Sequence, residues 1–255
     1  MFNSAQPPAG TQGCAFGRSR AMPMNSSVIA KTDPAYRAQA EYTTAFLRVY
    51  DRLVLGMFCR LLWRAPSSEV VGDYERHVRR RHLEIGPGTG YFLDKARLPD
   101  DLELTLADPN PTVLGHAARR LARYAPRTEE VDVRSPLPLT GPYDSVGLNY
   151  VLHCLPGPVE GKASAVRSAA AVLADDGVLF GGTIVTDAPA HTRLSYALMR
   201  SNNRRGIFGN DTDTTPAIRA VLESAFEDVD LHRRGTVAVF VARRPRRPDA
   251  DVARV

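Results

Sequence analysis

The stretch His82-Leu83-Glu84-Ile85-Gly86-Pro87-Gly88-Thr89-Gly90-Tyr91-Phe92-Leu93 decides how the rest of the chain is read. It reads as a short buried strand, a glycine-rich turn and the opening of a helix. Glycines at 86, 88 and 90 let the backbone turn tightly and let something large approach the main chain. The acid before them, Glu84, falls where the strand ends.

Outward from this turn, the chain from His82 to Ala242 alternates strand and helix. Strands are predicted near 82–86, 102–107, 127–132, 144–149, 177–185, 227–233 and 236–242, and helices near 90–97, 111–123, 160–173 and 214–224. Such alternation argues for a doubly wound, mostly parallel α/β sheet with helices on both faces. The last two strands flank Arg233-Arg234-Gly235, which reads as a tight antiparallel hairpin. Upstream, Tyr42, Phe46, Val49, Leu53 and Met57 recur at helical spacing. A second helix is predicted over Ser67–Arg80, with Ser67 or Ser68 as its cap. Residues 34–80 therefore read as a helical lid and 1–33 as a disordered segment poor in apolar residues. The sheet domain reads as 81–244, with a substrate-side insertion at 187–213, and 245–255 reads as a basic tail.

Composition sets bounds. A chain of 255 residues, 44% hydrophobic and 24% charged, suits one sizeable globular domain. No apolar run of about 18 residues is present, so no membrane span is expected. With no charged start followed by an apolar block, cytoplasmic residence is expected. Cys14, Cys59 and Cys154 lack metal-ligand spacing and read as small apolar residues. The formal charge is +5, yet all basic residues except Lys31, Lys95 and Lys162 are arginine. The basic clusters are scattered and read as solvated faces, with a phosphate-contacting surface as the minor reading.

The glycine spacing separates two kinds of nucleotide site. A dinucleotide fingerprint G-x-G-x-x-G needs glycine at 91, where this chain has Tyr91. The run present is E-x-G-x-G-x-G, and here the chain resembles the class I S-adenosylmethionine-dependent methyltransferases over roughly residues 80–244. The resemblance implies a seven-stranded sheet ending in an antiparallel hairpin, in a Rossmann-like methyltransferase fold. It implies S-adenosylmethionine as cofactor and S-adenosylhomocysteine as product. Glu84, Gly86, Pro87 and Gly88 would line the methionine moiety, with Gly90 serving close packing.

Leu104-Thr105-Leu106-Ala107-Asp108 is an apolar strand ending in a carboxylate, where the family binds both ribose hydroxyls; Pro109 follows it. An ionised carboxylate is acceptor-only, which suits a diol, although a helix-capping role for Asp108 is the bland alternative. Asp132, with Val133, matches the position that meets the adenine amino group, or else is a turn former. Asn149 and Tyr150, leaving the fourth strand, would face cofactor or acceptor. His153 is a candidate general base, weighed against a structural role beside the cofactor. Tyr50, Trp63, Tyr196 and Arg200 are candidate acceptor-binding residues on the lid and insertion, against helical core packing for each. The cluster Asn210-Asp211-Thr212-Asp213 reads as helix capping, and no metal is expected. The expected reaction is methyl transfer to a small or medium organic acceptor by a monomer or homodimer. An RNA or protein methyltransferase, or a non-catalytic binding protein of the same fold, stands as the alternative, and nucleic acid is disfavoured as a partner.

Overall fold

The computed structural model describes residues 61–139 and 141–247. Tyr50, the helix built on Tyr42 to Met57, and segment 1–33 lie outside the described residues. Seven strands form one sheet: β1 (Arg81–Ile85), β2 (Glu103–Ala107), β3 (Arg127–Glu129), β4 (Tyr143–Asn149), β5 (Leu173–Ile184), β6 (Phe226–Arg234) and β7 (Val237–Pro245). Their spatial order is β3-β2-β1-β4-β5-β7-β6. β1 to β5 pair in parallel, and β7 runs antiparallel between β5 and β6. The helices are α1 (Ser67–His77), α2 (Tyr91–Lys95), α3 (Pro111–Arg120), α4 (Ala163–Ala171), α5 (Arg193–Arg205) and α6 (Thr215–Glu223).

β1 and β2 are buried along almost their whole length, as parallel strands covered on both faces must be. On one face, Leu83, Val146, Leu148 and Phe240 pack with Val166 of α4 and Ile218 and Leu222 of α6. On the other, Leu104, Leu106, Val178 and Phe180 meet Tyr74 of α1, Leu93 of α2 and Leu114 of α3. Each large side chain taken out of water here contributes about 1.5–3 kcal/mol. α3 starts on Asn110, whose side chain accepts from Thr112 N, with Pro111 in the first turn. α5 carries a reciprocal Thr192–Ser195 capping box and ends on Gly206 at φ +72°.

Three local expectations change. α1 is entered from Pro66 with no side-chain cap, so neither Ser67 nor Ser68 caps it. Pro66 has no N–H to satisfy, and its carbonyl accepts from the Glu69 and Val70 amides. β3 stops at Glu129, so Asp132 lies in the following loop and not at a strand end. The Asn210–Asp213 cluster does not cap α6, which begins on Thr214. Instead Asn210 and Asp213 are buried, and Asp213 pairs with Lys162, both side chains being inaccessible to solvent. Among the described residues, no helix is long and apolar enough to cross a membrane.

α1 is part of the core's own packing. Tyr74 is buried against Phe180 and gives its hydroxyl to Glu84. Asp73 and Glu69 grip Arg234 on the terminal hairpin. β7 runs to Pro245, and Arg246 and Arg247 hydrogen-bond back to Glu223, Ala170 and Leu173.

Candidate active site

The order of the strands reverses between β1 and β4, which leaves a crevice beyond their carboxyl ends. A cleft of about 830 Å³ opens there. Its floor is Ile85, Gly86 and Gly88 from the turn after β1. One side is Ala107, Asp108, Pro109 and Val113; another is Val131, Asp132, Val133 and Arg134. Tyr150, Val151, Cys154 and Leu155 close it from the β4 side, with Ile207 from the end of the insertion.

The turn's glycines have separate jobs. All three have positive φ. At Gly86 a Cβ would come within 2.5 Å of Val151 Cγ2, so this position is closed by protein. At Gly88 nothing lies within 4 Å of where a Cβ would stand, so the main chain itself faces the open cleft.

Asp108 closes the end of β2. Its Oδ1 accepts from Asn110 N at 2.7 Å, which forms a local turn ahead of the Asn110 cap. Burial pushes its carboxyl up to about 7, with the Asn110 amide opposing the shift. Asp132 lies across the cleft, and both of its oxygens are bound by the guanidinium of Arg134, at 2.7 to 3.1 Å. Arg134 N also donates to Asp132 Oδ1. Tyr150 leaves β4 at φ +57°, costly for a residue with a side chain. Its amide is held by Gly182 O, and its ring stands between the cleft and a neighbouring aromatic cluster.

Gly86, Gly88, Asp108, Pro109, Asp132, Val133 and Tyr150 all line one cleft. Other expected residues are elsewhere. Glu84 is sealed in the sheet: Oε1 accepts from the Tyr74 hydroxyl, and Oε2 meets His82 Nε2 at 3.1 Å. Ser145 Oγ accepts from Arg79 N and so can donate to His82 Nδ1, leaving Nε2–H to donate to Glu84. Gly147 makes room for this carboxylate, because a Cβ there would overlap Oε2. Pro87 is absent from the cleft wall, and Asn149 turns toward a small cavity beside Asp73 and Arg234.

His153 is buried outside the cleft wall. Its ring meets Phe208 edge-on at 4.7 Å, and Nδ1 lies 3.4 Å from Thr183 Oγ1. Burial, aided by the Lys162 charge, pulls its pKa down to about 3. Trp63 is buried in a cluster with Met199, Val237 and Phe208. Tyr196 is exposed on α5 with its ring edge-on to His191, and Arg200 is exposed on the same helix.

The sequence reading missed Arg134, Cys154, Leu155 and Ile207. Arg134 had a local signal, two residues after an acid in a loop. Ile207 had none, because it arrives from more than fifty residues beyond β4. The insertion that carries it is stitched down. Gly209 N donates to His153 O, Lys162 Nζ donates to Gly209 O, and Asn210 Nδ2 donates to Ile184 O.

An open, mostly parallel sheet with a glycine floor and two acids around the crevice where strand order reverses is a Rossmann-like fold. A methyltransferase domain model matches residues 83–179. Demethylluteothin O-methyltransferase of Streptomyces thioluteus is 39% identical over 206 residues, covering 80% of this chain and 90% of that protein. The physcion biosynthesis cluster O-methyltransferase of Aspergillus chevalieri is 33% identical over 219 residues, covering 85% and 99%. The solved N-methyltransferase NodS from Bradyrhizobium japonicum WM9, in complex with S-adenosyl-L-homocysteine, shares the fold with a TM-score of 0.57 at 16% identity. That match covers 84% of this chain and 100% of NodS. The chain belongs to the S-adenosylmethionine-dependent methyltransferase family.

Proposed function

We propose that the cleft above Gly88 holds S-adenosylmethionine and that the enzyme methylates an oxygen of a small organic acceptor. The observation that carries the cofactor reading is Asp108. It is a half-buried carboxylate at the cleft wall for which the hydrogen bonds among the described residues engage only Oδ1. A ribose diol supplies two donors to such a group. The bare main chain at Gly88 fits the methionine portion, where any side chain would intrude. Both Asp132 oxygens are held by Arg134, and an ionised carboxylate has lone pairs left over with which to accept from an amino group on a flat base.

When bound, S-adenosylmethionine supplies an activated methyl and a neutral leaving group. The chain's own residues then have to bind, orient and exclude water. Asp108 and Asp132 fix the two ends of the nucleoside, and Tyr150 and Ile207 wall off the side on which the acceptor approaches. Oxygen as the accepting atom follows the two O-methyltransferase relatives, each matched over nearly its whole length. The arginines at the end of β7 and just after it give little support to an RNA acceptor, since Arg243, Arg244 and Arg247 face Asp228, Glu227 and Asp175.

Isothermal calorimetry with S-adenosylhomocysteine is the test. Binding at one site per chain is expected, with affinity lost when both Asp108 and Asp132 are replaced by alanine. A folded protein that binds neither product nor cofactor refutes the reading.

A further inference from the structure

We infer that the acceptor is a flat, conjugated molecule whose hydroxyl is acidic enough to ionise in water, so that it arrives as an enolate or phenolate and none of the described residues removes a proton from it. This rests on the proposed reading of the cleft as the cofactor site and of oxygen as the accepting atom.

The first observation is a continuous arc of rings beside the cleft. Trp63 and Phe208 lie 6.3 Å apart, and Phe208 meets His153 edge-on at 4.7 Å. His153 is edge-on to Tyr150 at 6.0 Å, Tyr150 lies nearly parallel to Phe92 at 6.2 Å, and Phe92 is edge-on to Tyr91 at 5.7 Å. Phe208, Tyr150, Phe92 and Tyr91 are only partly buried. The arc joins the cleft at Tyr150, and at Ile207, the neighbour of Phe208. Offset-stacked and edge-on contacts with such walls favour a planar π-system over a flexible or strongly hydrated acceptor.

The second observation is that this arc holds no available base among the described residues. His153 is the ring that belongs to it, and it is shut between Phe208, Tyr150 and Thr183, off the cleft wall. Lys162 lies behind it and further disfavours a proton there. Lys162 is itself spent on Asp213 and Gly209 O. Cys154 does line the cleft, but burial holds its thiol up at about 12, too high to supply a thiolate. Asp132 is bound by Arg134, and Asp108 stands at the end of β2, on the cofactor's ribose side in this reading.

The chemistry balances without a protein base. The acceptor's O–H gives its proton to water before binding. The anionic oxygen's electron pair then forms the new O–CH₃ bond as the C–S bond breaks, and that bond's electrons return to sulfur, which leaves as a neutral thioether. An anion and a sulfonium become two neutral molecules, a change that apolar, water-poor walls favour.

The test compares three flat acceptors with the full chain: 4-hydroxycoumarin, ionised at neutral pH; 7-hydroxycoumarin, half-ionised slightly above it; and 2-naphthol, ionised only in alkali. Binding of S-adenosylhomocysteine is checked first. Rates from pH 6 to 9 are expected to be flat for the first. For the second they turn over at its own ionisation, and for the third they climb about tenfold per pH unit. In His153→Gln these midpoints are expected to stay where they are. One midpoint common to all three acceptors, or a midpoint displaced in His153→Gln, overturns the inference by revealing a base on the protein. So does methylation of an aromatic amine in preference to all three, or of none of them by a protein that binds S-adenosylhomocysteine. A folded protein that does not bind S-adenosylhomocysteine overturns the underlying cofactor reading, and the inference with it.

Discussion

Replacing Asp108 by asparagine is expected to stabilise the protein while weakening the cofactor. In the folded chain the Asp108 carboxyl sits at about 7, against 3.8 for a free aspartate. A carboxyl raised in this way contributes stability that is fully present below its unfolded pKa and is lost as pH rises through its folded pKa. The displacement amounts to on the order of 4 kcal/mol. The carboxylate keeps contact with solvent through the cleft mouth, which reduces the cost of ionising it to about 2–3 kcal/mol. Asparagine keeps an oxygen for Asn110 N and carries no charge at any pH. At pH 8 Asp108→Asn is therefore expected to melt about 5–10 °C above the parent without ligand, and the gap closes at pH 4. Binding moves the other way. Losing the charged acceptor for two ribose hydroxyls weakens S-adenosylhomocysteine about 10- to 100-fold at pH 8. Parent affinity falls as pH drops from 8 to 6, and the variant's does not. Differential scanning fluorimetry over pH, paired with calorimetry, reads both quantities. An unligated variant that melts at or below the parent at pH 8, with affinity unchanged, refutes the account of this carboxylate.

The two floor glycines separate packing from binding. Gly86→Ala is expected to lower the melting temperature, because its Cβ meets Val151 as well as an unfavourable φ; Gly88→Ala meets open space, costs only about 1 kcal/mol of backbone strain, and is expected to weaken cofactor affinity measured by calorimetry. Lys162→Met leaves the inaccessible Asp213 charge without its partner and is expected to cost about 3–5 kcal/mol in urea unfolding. The double variant Lys162→Met/Asp213→Leu is expected to recover most of that loss. Tyr74→Phe deprives Glu84 of a buried donor and is expected to cost about 1–3 kcal/mol in the same assay, which measures how firmly α1 is fastened to β1.

Much of the sheet was legible because its signals are local. Apolar runs of strand length ending in Glu84, Asp108 and Asn149 mark buried parallel strands whatever packs on them, and Arg233-Arg234-Gly235 marks a hairpin by backbone chemistry alone. The spacing of Gly86, Gly88 and Gly90, with Tyr91 in the next place, separated one kind of nucleotide floor from another. Asp108 was legible as the carboxylate that closes an apolar strand, and the fold sets it on the cleft wall beyond β2.

What needed the tertiary structure was the direction in which each side chain spends its polar atoms. Glu84 belongs to the same motif as Gly88, yet it turns into the sheet because Tyr74, His82 and the bare Gly147 create a partnered pocket there. His153 has the composition of a base, but Phe208, arriving from fifty-five residues away, seals it and holds it neutral. Asp213 looked like a cap and is half of a buried ion pair, because Lys162 reaches it across a loop. A sequence carries the backbone's preferences residue by residue. Burial, and with it charge, depends on neighbours that only folding brings together.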